Sequence, residues 1–227
     1  MINHNSILSF QRAVKRNPVI VKYYKHWINS LDQLSSPLEE EIPWTTYESI
    51  EWLSKTINNE MNIFEWGSGG STLFFSRRAK QIVTIEHNPT WYNTVTETIL
   101  KRNINNVDIQ LVVGQSPKAD EKMYSSTDAD SVGLSFYKYV SAIDKYPDNF
   151  FDVILVDGRS RRHCINHGIT KLKLNGFLVL DNAERAEYST GCELINHWAK
   201  TDYSGPGPFL DYCWTTRAFQ KGEYSTK

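Results

Sequence analysis

The chain has 227 residues, with 25 Lys and Arg against 26 Asp and Glu, and is 40% apolar and 13% aromatic; this profile fits one globular domain with a full-sized core and excludes disorder and collagen. The longest unbroken apolar runs, Val153 to Val156 and Phe177 to Leu180, hold four residues, far short of the ~20 a membrane-spanning helix needs. A net charge of −1 argues against a surface built wholly for nucleic acid, and three scattered cysteines, Cys164, Cys192 and Cys213, suggest reduced thiols in the cytoplasm and no disulfide framework or zinc knuckle.

The first 31 residues carry five cations, Arg12, Lys15, Arg16, Lys22 and Lys25, and no acid, interleaved with apolar residues from Ile7 to Ile28. The arm reads as amphipathic helices packed on the main domain with their cations in water; a membrane-surface helix or targeting presequence is the other reading, weakened by the missing small-residue cleavage signal and by Pro18. Ser35-Ser36-Pro37 and the acidic run Glu39 to Glu41 read as a linker. The expected division is therefore an N-terminal helical extension and linker, 1–42, followed by the main domain, 43–227. Thr45-Thr46-Tyr47-Glu48 is expected to form a capping box, with Ile50, Leu53 and Ile57 at helical spacing behind it.

From Met61 onward short apolar runs alternate with helical stretches, the pattern of repeated βα units. Strands are expected at Asn62–Glu65, Gln81–Glu86, Asp108–Val113, Asp152–Val156 and Phe177–Leu180. The expected helices run over Ser71–Arg78, from Asn88-Pro89 as N-cap and first-turn proline, over about Phe136–Lys145, and over Arg161–Leu174 with Asn175-Gly176 as its C-terminal cap. A further helix over about Thr190–Ala199, a Gly205-Pro206-Gly207-Pro208 break and an alternating strand over Tyr212–Phe219 complete the chain. Near-continuous apolar strands of this kind belong in a parallel sheet covered on both faces.

The strongest chemical signal is Phe64-Glu65-Trp66-Gly67-Ser68-Gly69-Gly70-Ser71-Thr72, where an acid and a glycine-rich turn join a strand to a helix. Glycines allow close backbone approach to a ligand, and the following helix offers free N–H groups; a plain tight turn is the alternative. Glu86 ends the next strand 19 residues after Gly67, where a carboxylate can accept both ribose hydroxyls of a nucleotide-like cofactor. The G-x-G-G spacing lacks the third glycine of a dinucleotide fingerprint, so an adenosyl ligand without phosphates fits better.

At these residues the sequence resembles the class I S-adenosylmethionine-dependent methyltransferases, over roughly Pro43 to Gln220. The resemblance includes Pro43-Trp44-Thr45, Ile85-Glu86-His87 with Trp91-Tyr92, Phe151 to Gly158, and Gly176 to Asn182. It is nearest to a branch with a G-P-G-P and W-x-T ending, here Gly205 to Pro208 and Trp214 to Thr216. It implies an α/β, Rossmann-like, doubly wound and mainly parallel seven-stranded sheet with an antiparallel C-terminal hairpin. It also implies that Glu65, Gly67, Ser68, Gly69, Gly70, Ser71, Thr72, Glu86, His87 and Trp91 bind S-adenosylmethionine, Glu65 and the glycine turn at the amino-acid end and Glu86 at the ribose.

Asp157 ends the fourth strand and Asp181-Asn182 the fifth, so their oxygens should share the crevice above the strand ends. Hard oxygens suit Mg²⁺ or another divalent cation; ordinary turn residues are the alternative. The set is similar to that of the metal-dependent catechol and caffeoyl-coenzyme A type O-methyltransferases. Those relatives carry a lysine base three residues after the first Asp, where this chain has Ser160. Asp157 and His163 are the catalytic candidates that remain. Arg159, Arg161 and Arg162 at the same strand end would bind an anionic acceptor bidentately, or else form a solvated face. The loop Gly205 to Phe209, with Tyr203, Tyr212 and Trp214, is a candidate aromatic lid over the acceptor, or part of the core.

The expected activity is methyl transfer from S-adenosylmethionine to a small-molecule hydroxyl, such as that of a sugar or other anionic acceptor, with a divalent cation as auxiliary. No nucleic-acid partner or transmembrane segment is expected, and a homo-oligomer is left open. The alternatives are a metal-free N-methyltransferase on an amino-sugar, a nucleotide-binding oxidoreductase, and a non-catalytic binding module with the same fold.

Overall fold

Five strands, β1 (Asn62–Trp66), β2 (Gln81–Glu86), β3 (Val107–Leu111), β4 (Phe151–Val156) and β5 (Leu172–Leu180), lie parallel, while β6 (Ala199–Pro206) and β7 (Cys213–Gln220) are antiparallel. The seven-stranded order is β3-β2-β1-β4-β5-β7-β6. The computed structural model describes residues 4–32, 35–126 and 131–222; residues 1–3, 33, 34, 127–130 and 223–227, which fall within the two expected segments, lie outside the described residues.

The alternation of side chains along the strands builds a core on each face of the sheet. Phe64, Trp66, Ile154, Val156 and Leu178 pack with Tyr139 and Ile165 on one face, and Ile63, Val153, Leu155 and Val179 with Leu53, Phe74 and Phe75 on the other. Between β1 and β4 the strand order changes direction; a crevice opens at such a switch point because the loops leave in opposite directions.

The N-terminal helices α1 (His4–Arg16) and α2 (Tyr24–Asp32), joined by a 3₁₀ turn over Pro18–Tyr23, bury Phe10, Ile20, Tyr23 and Trp27. They grip the loop between β6 and β7. Trp27 Nε1 donates to Leu210 O at 2.7 Å, Phe209 N to Ser30 Oγ at 3.1 Å, and Ser6 Oγ to Asp211 Oδ2 at 3.0 Å. The arm is therefore packed, as the amphipathic pattern predicts, although Lys22 pairs with Glu51. Where a linker is expected, the chain forms a short helix, α3 (Pro37–Glu40), capped by Ser36 and closed by Glu41 in the left-handed region. Glu41 pairs with Arg77 and Arg102.

Helix α4 (Tyr47–Thr56) precedes β1, but the expected capping box does not form. Thr46 Oγ1 bonds to Ser49 Oγ and Tyr203 O instead, tying the helix start to β6. Helix α5 (Gly70–Ser76) follows β1, and α6 (Pro89–Lys101) follows β2 with the expected Asn88 cap, whose side chain accepts from Trp91 N at 3.1 Å. The helix expected over about Phe136–Lys145 is α7 (Tyr137–Val140) continued by a 3₁₀ turn over Ser141–Ile143.

Helix α8 (Arg161–Lys171) stops three residues early, because β5 begins at Leu172 and pairs with Phe151. Asn175-Gly176 is thus no helix cap: Asn175, at φ 63°, lies within β5, where the register against β4 shifts. Of the helix expected over Thr190–Ala199 only α9 (Ser189–Glu193) exists, and Ala199 opens β6, which takes in Gly205 and Pro206 of the expected break. No helix among the described residues is long and apolar enough to cross a membrane.

Candidate functional site

The crevice above β1, β2, β4 and β5 is a cleft of about 460 Å³, within the range of small-ligand sites. Its floor begins at Gly67, which leaves β1 at φ +98°, a region that disfavours side chains. A Cβ there would also meet Asp157 O at 2.8 Å, so the loops after β1 and β4 touch backbone to backbone.

Ser68 N and Ser68 Oγ donate to Glu86 Oε2 at 2.9 and 2.8 Å, and His87 N and Asn88 N both donate to Oε1 at 2.8 Å. Burial works to raise the pKa of Glu86, but the hydrogen bonds from His87, Asn88 and Ser68 hold it below the ordinary carboxylate value. Arg159 Nε donates to His87 Nε2 at 3.0 Å, and His87 Nδ1 lies 3.0 Å from Glu86 Oε1. The indole of Trp91, on the first turn of α6, stands over Gly69 and donates to Ser68 O at 2.7 Å. Strand end, glycine turn and indole therefore form one wall.

Glu65 does not reach this wall. It is fully buried beneath the turn, accepting from Ser71 Oγ at 2.8 Å and from Thr72 Oγ1, while Thr72 Oγ1 accepts from Gly69 N at 3.0 Å. Burial pushes its pKa up to about 7 against those hydroxyls. The expectation that Glu65 and Thr72 touch a cofactor gives way to a brace that shapes the turn from below. Gly70 lines the cleft, yet a Cβ there would lie 2.2 Å from both Pro37 O and Ile42 O, so its lack of a side chain serves the packing of α3.

The second wall holds the acids. Arg161, the first residue of α8, reaches back through Nη2 to Asp157 Oδ1 at 2.9 Å, through Nη1 to Asp181 O at 2.7 Å and Asn182 Oδ1 at 3.3 Å, and through Nε to Gly158 O at 3.0 Å. Asp181 Oδ1 accepts from Thr216 Oγ1 at 2.6 Å and Trp214 Nε1 at 2.9 Å, both on β7. Burial raises the pKa of Asp157 and Asp181, each further raised by a neighbouring acid and held back by Arg161. These side chains share one cleft, but they do not fit a divalent cation: the guanidinium lies among them. No group of three His, Cys, Asp or Glu side chains among the described residues could hold a metal ion.

Two other candidates leave the cleft. His163 is buried against the ring of Tyr124, 4.6 Å between centroids, with Nδ1 3.0 Å from Ser160 Oγ. Burial, Arg162 and His167 push its pKa down to about 4. It does not line the cleft in which a catalytic role is expected of it. Arg162 Nη2 donates to Met123 O, outside the cleft, so of the three arginines only Arg159 and Arg161 line it.

Tyr212, Trp214, Trp44, Leu210 and Arg185 also line the cleft. Tyr203 is not among them, being stacked on Trp52 in the core. A signal for Arg185 exists in its place just past Asp181-Asn182, the counterpart of Arg159 just past Asp157.

No protein-family model matches the chain, and no curated protein sequence matches it. Solved structures do. A candidate methyltransferase from Streptococcus mutans in complex with S-adenosylhomocysteine superposes with a TM-score of 0.53 at 12% identity, covering 83% of this chain and 99% of that one. An rRNA methylase from Streptococcus thermophilus gives 0.52 at 11%, with 83% and 99% covered. Precorrin-6y C5,15-methyltransferase from Geobacter metallireducens gives 0.52 at 16%, with 80% and 96% covered. At such identities the likeness establishes the fold, a Rossmann-like methyltransferase fold, and nothing about the acceptor.

Proposed function

We propose that this chain is an S-adenosylmethionine-dependent methyltransferase acting on a small-molecule hydroxyl whose owner carries an anionic group, without help from a metal ion. The observation that carries the reading is the wall made by Gly67, Ser68, Glu86 and Trp91, where a bonded carboxylate stands at the end of β2 within reach of an adenosyl ligand's ribose. The fold and the size of the cleft support it. Bound there, S-adenosylmethionine would supply an electrophilic methyl group.

The chain's own residues do the rest. Glu86 accepts the ribose hydroxyls, Trp91 and His87 flank the ring end, and Ser68 to Ser71 present backbone and hydroxyl donors. Asp157, raised above the ordinary range by burial, takes the proton from the acceptor hydroxyl as its oxygen gains the methyl group. Arg159 and Arg185 both line the cleft and would hold the acceptor's anion. Most of the acceleration comes from alignment, since transfer to a placed oxygen is largely a proximity problem. The balanced charge of the chain favours a small acceptor over nucleic acid.

Calorimetry with S-adenosylhomocysteine tests the cofactor, and mass spectrometry of candidate acceptors incubated with S-adenosylmethionine and a chelator tests the reaction. One saturable site and an acceptor heavier by one methylene are expected. Absence of binding at about 1 mM, the weak end of specific affinities, would overturn the reading; turnover that stops in chelator would overturn its metal-free form.

A further inference from the structure

We infer that Arg161 is the resident cation of the acid cluster and that its charge keeps divalent metal ions out of the cleft. The inference rests on the donor set and not on the cofactor reading, so it stands or falls separately. A divalent cation of the Mg²⁺ type takes anionic oxygens at roughly 2.0–2.1 Å in octahedral geometry. One oxygen of each side chain that could supply them is already engaged. Asp157 Oδ1 and Asn182 Oδ1 face the Arg161 guanidinium at 2.9 and 3.3 Å, and Asp181 Oδ1 faces two donors on β7.

The guanidinium is not a casual visitor. Its three nitrogens make four contacts with the ends of β4 and β5, two of them to the main-chain carbonyls of Gly158 and Asp181. The side chain is only 11% exposed, and the ring of Tyr188 lies 5.5 Å from its carbon centre. An incoming ion would have to leave that charge buried without its partners, a large cost. A guanidinium stays protonated at any pH a protein survives, so exclusion does not lapse as the acids titrate. The Asp157–Arg161 spacing of four residues closes the pair across the turn that starts α8.

The test is Mn²⁺ binding to the full chain, read from the paramagnetic resonance of the free ion, in wild type and in Arg161→Lys, Arg161→Gln, Arg161→Ala and Asp181→Asn. Circular dichroism and thermal melting check that each variant is folded. Wild type and Arg161→Lys are expected to leave the free-ion signal unchanged at about 1 mM, the weak end of oxygen-liganded sites. Arg161→Gln and Arg161→Ala are expected to bind one ion per chain at least about tenfold more tightly, a gain that Asp181→Asn cancels in the double variant; if the Ala protein does not fold, the Gln protein decides. A stoichiometric ion on wild type that Asp181→Asn removes would overturn the inference. So would neutral variants that bind no better than wild type, or a Lys variant that binds as well as Gln.

Discussion

Thr216 donates its hydroxyl to Asp181 Oδ1 at 2.6 Å and at the same time accepts from Thr46 N at 3.2 Å. One fully buried hydroxyl on β7 therefore joins the acid at the end of β5 to the start of α4. Replacing it with the near-isosteric Val leaves a buried carboxyl and a buried N–H each short of a partner. Thr216→Val should lower stability by about 1–3 kcal/mol, measured by urea denaturation, and should push the Asp181 pKa higher still. An unchanged midpoint would show that the link is idle.

Glu86 receives four donors from the turns that follow β1 and β2. Glu86→Gln retains an acceptor oxygen for His87 N and Asn88 N but removes the charge that a ribose would meet. S-adenosylhomocysteine affinity should fall by about tenfold, roughly 1.4 kcal/mol, and the fold should lose about 1–3 kcal/mol, because the new amide nitrogen faces the Ser68 N–H donor. Glu86→Ala should lose both affinity and stability, because the backbone donors are then unpaired. Undiminished affinity in both would place the adenosyl group elsewhere.

Glu65 predicts a pH dependence. Its pKa rises from the ordinary 4.5 to about 7 in the fold, chiefly through burial. Between those values the folded chain holds a proton that the unfolded chain has lost, so stability declines as pH rises across the interval and levels off above it. Glu65→Gln has no such proton. Its stability relative to wild type should improve from about pH 5 to about pH 8, read from urea unfolding at each pH. A constant difference would mean that Glu65 is ionised in the fold throughout.

Trp27 ties α2 to the loop that carries Leu210 and Tyr212 into the cleft. Trp27→Phe should keep the stack on Phe10, 5.2 Å between centroids, and lose the bond to Leu210 O. Amide exchange over Phe209 to Cys213 should quicken by about fivefold, the worth of about 1 kcal/mol, while β1, β4 and S-adenosylhomocysteine affinity stay as they were. If exchange in the loop does not change, the N-terminal helices do not set the part of the cleft that Leu210 and Tyr212 line.

The parts of the site legible in the sequence are those that a strand end fixes by itself. Gly67, Glu86, Asp157 and Asp181 each follow a run of buried strand residues, so the crevice has no other place to put them. Glu65 was misplaced because its environment is made by Ser71 and Thr72 one turn of helix later, folded back beneath it. Arg161 and His163 look equivalent in a string of cations, yet two residues along a helix are about 200° apart. One faces the acids and the other the ring of Tyr124. Strand β6 was hidden because it is an edge: Ala199 to Asp202 are exposed and polar or small, and only the ladder to β7 makes them a strand.

The strand order sets a schedule for assembly. Since β7 lies between β5 and β6, β6 leaves a synthesising ribosome with no place in the sheet until the segment after it has emerged and slotted in. Up to that moment Asp181 lacks both Trp214 and Thr216, its partners on β7. The glycine turn and Glu86, which draw on β1 and β2, can take shape more than a hundred residues earlier in the chain. During synthesis the glycine-turn wall is thus assembled first and the acid wall last, and a nascent chain stalled before Trp214 would carry half a cleft.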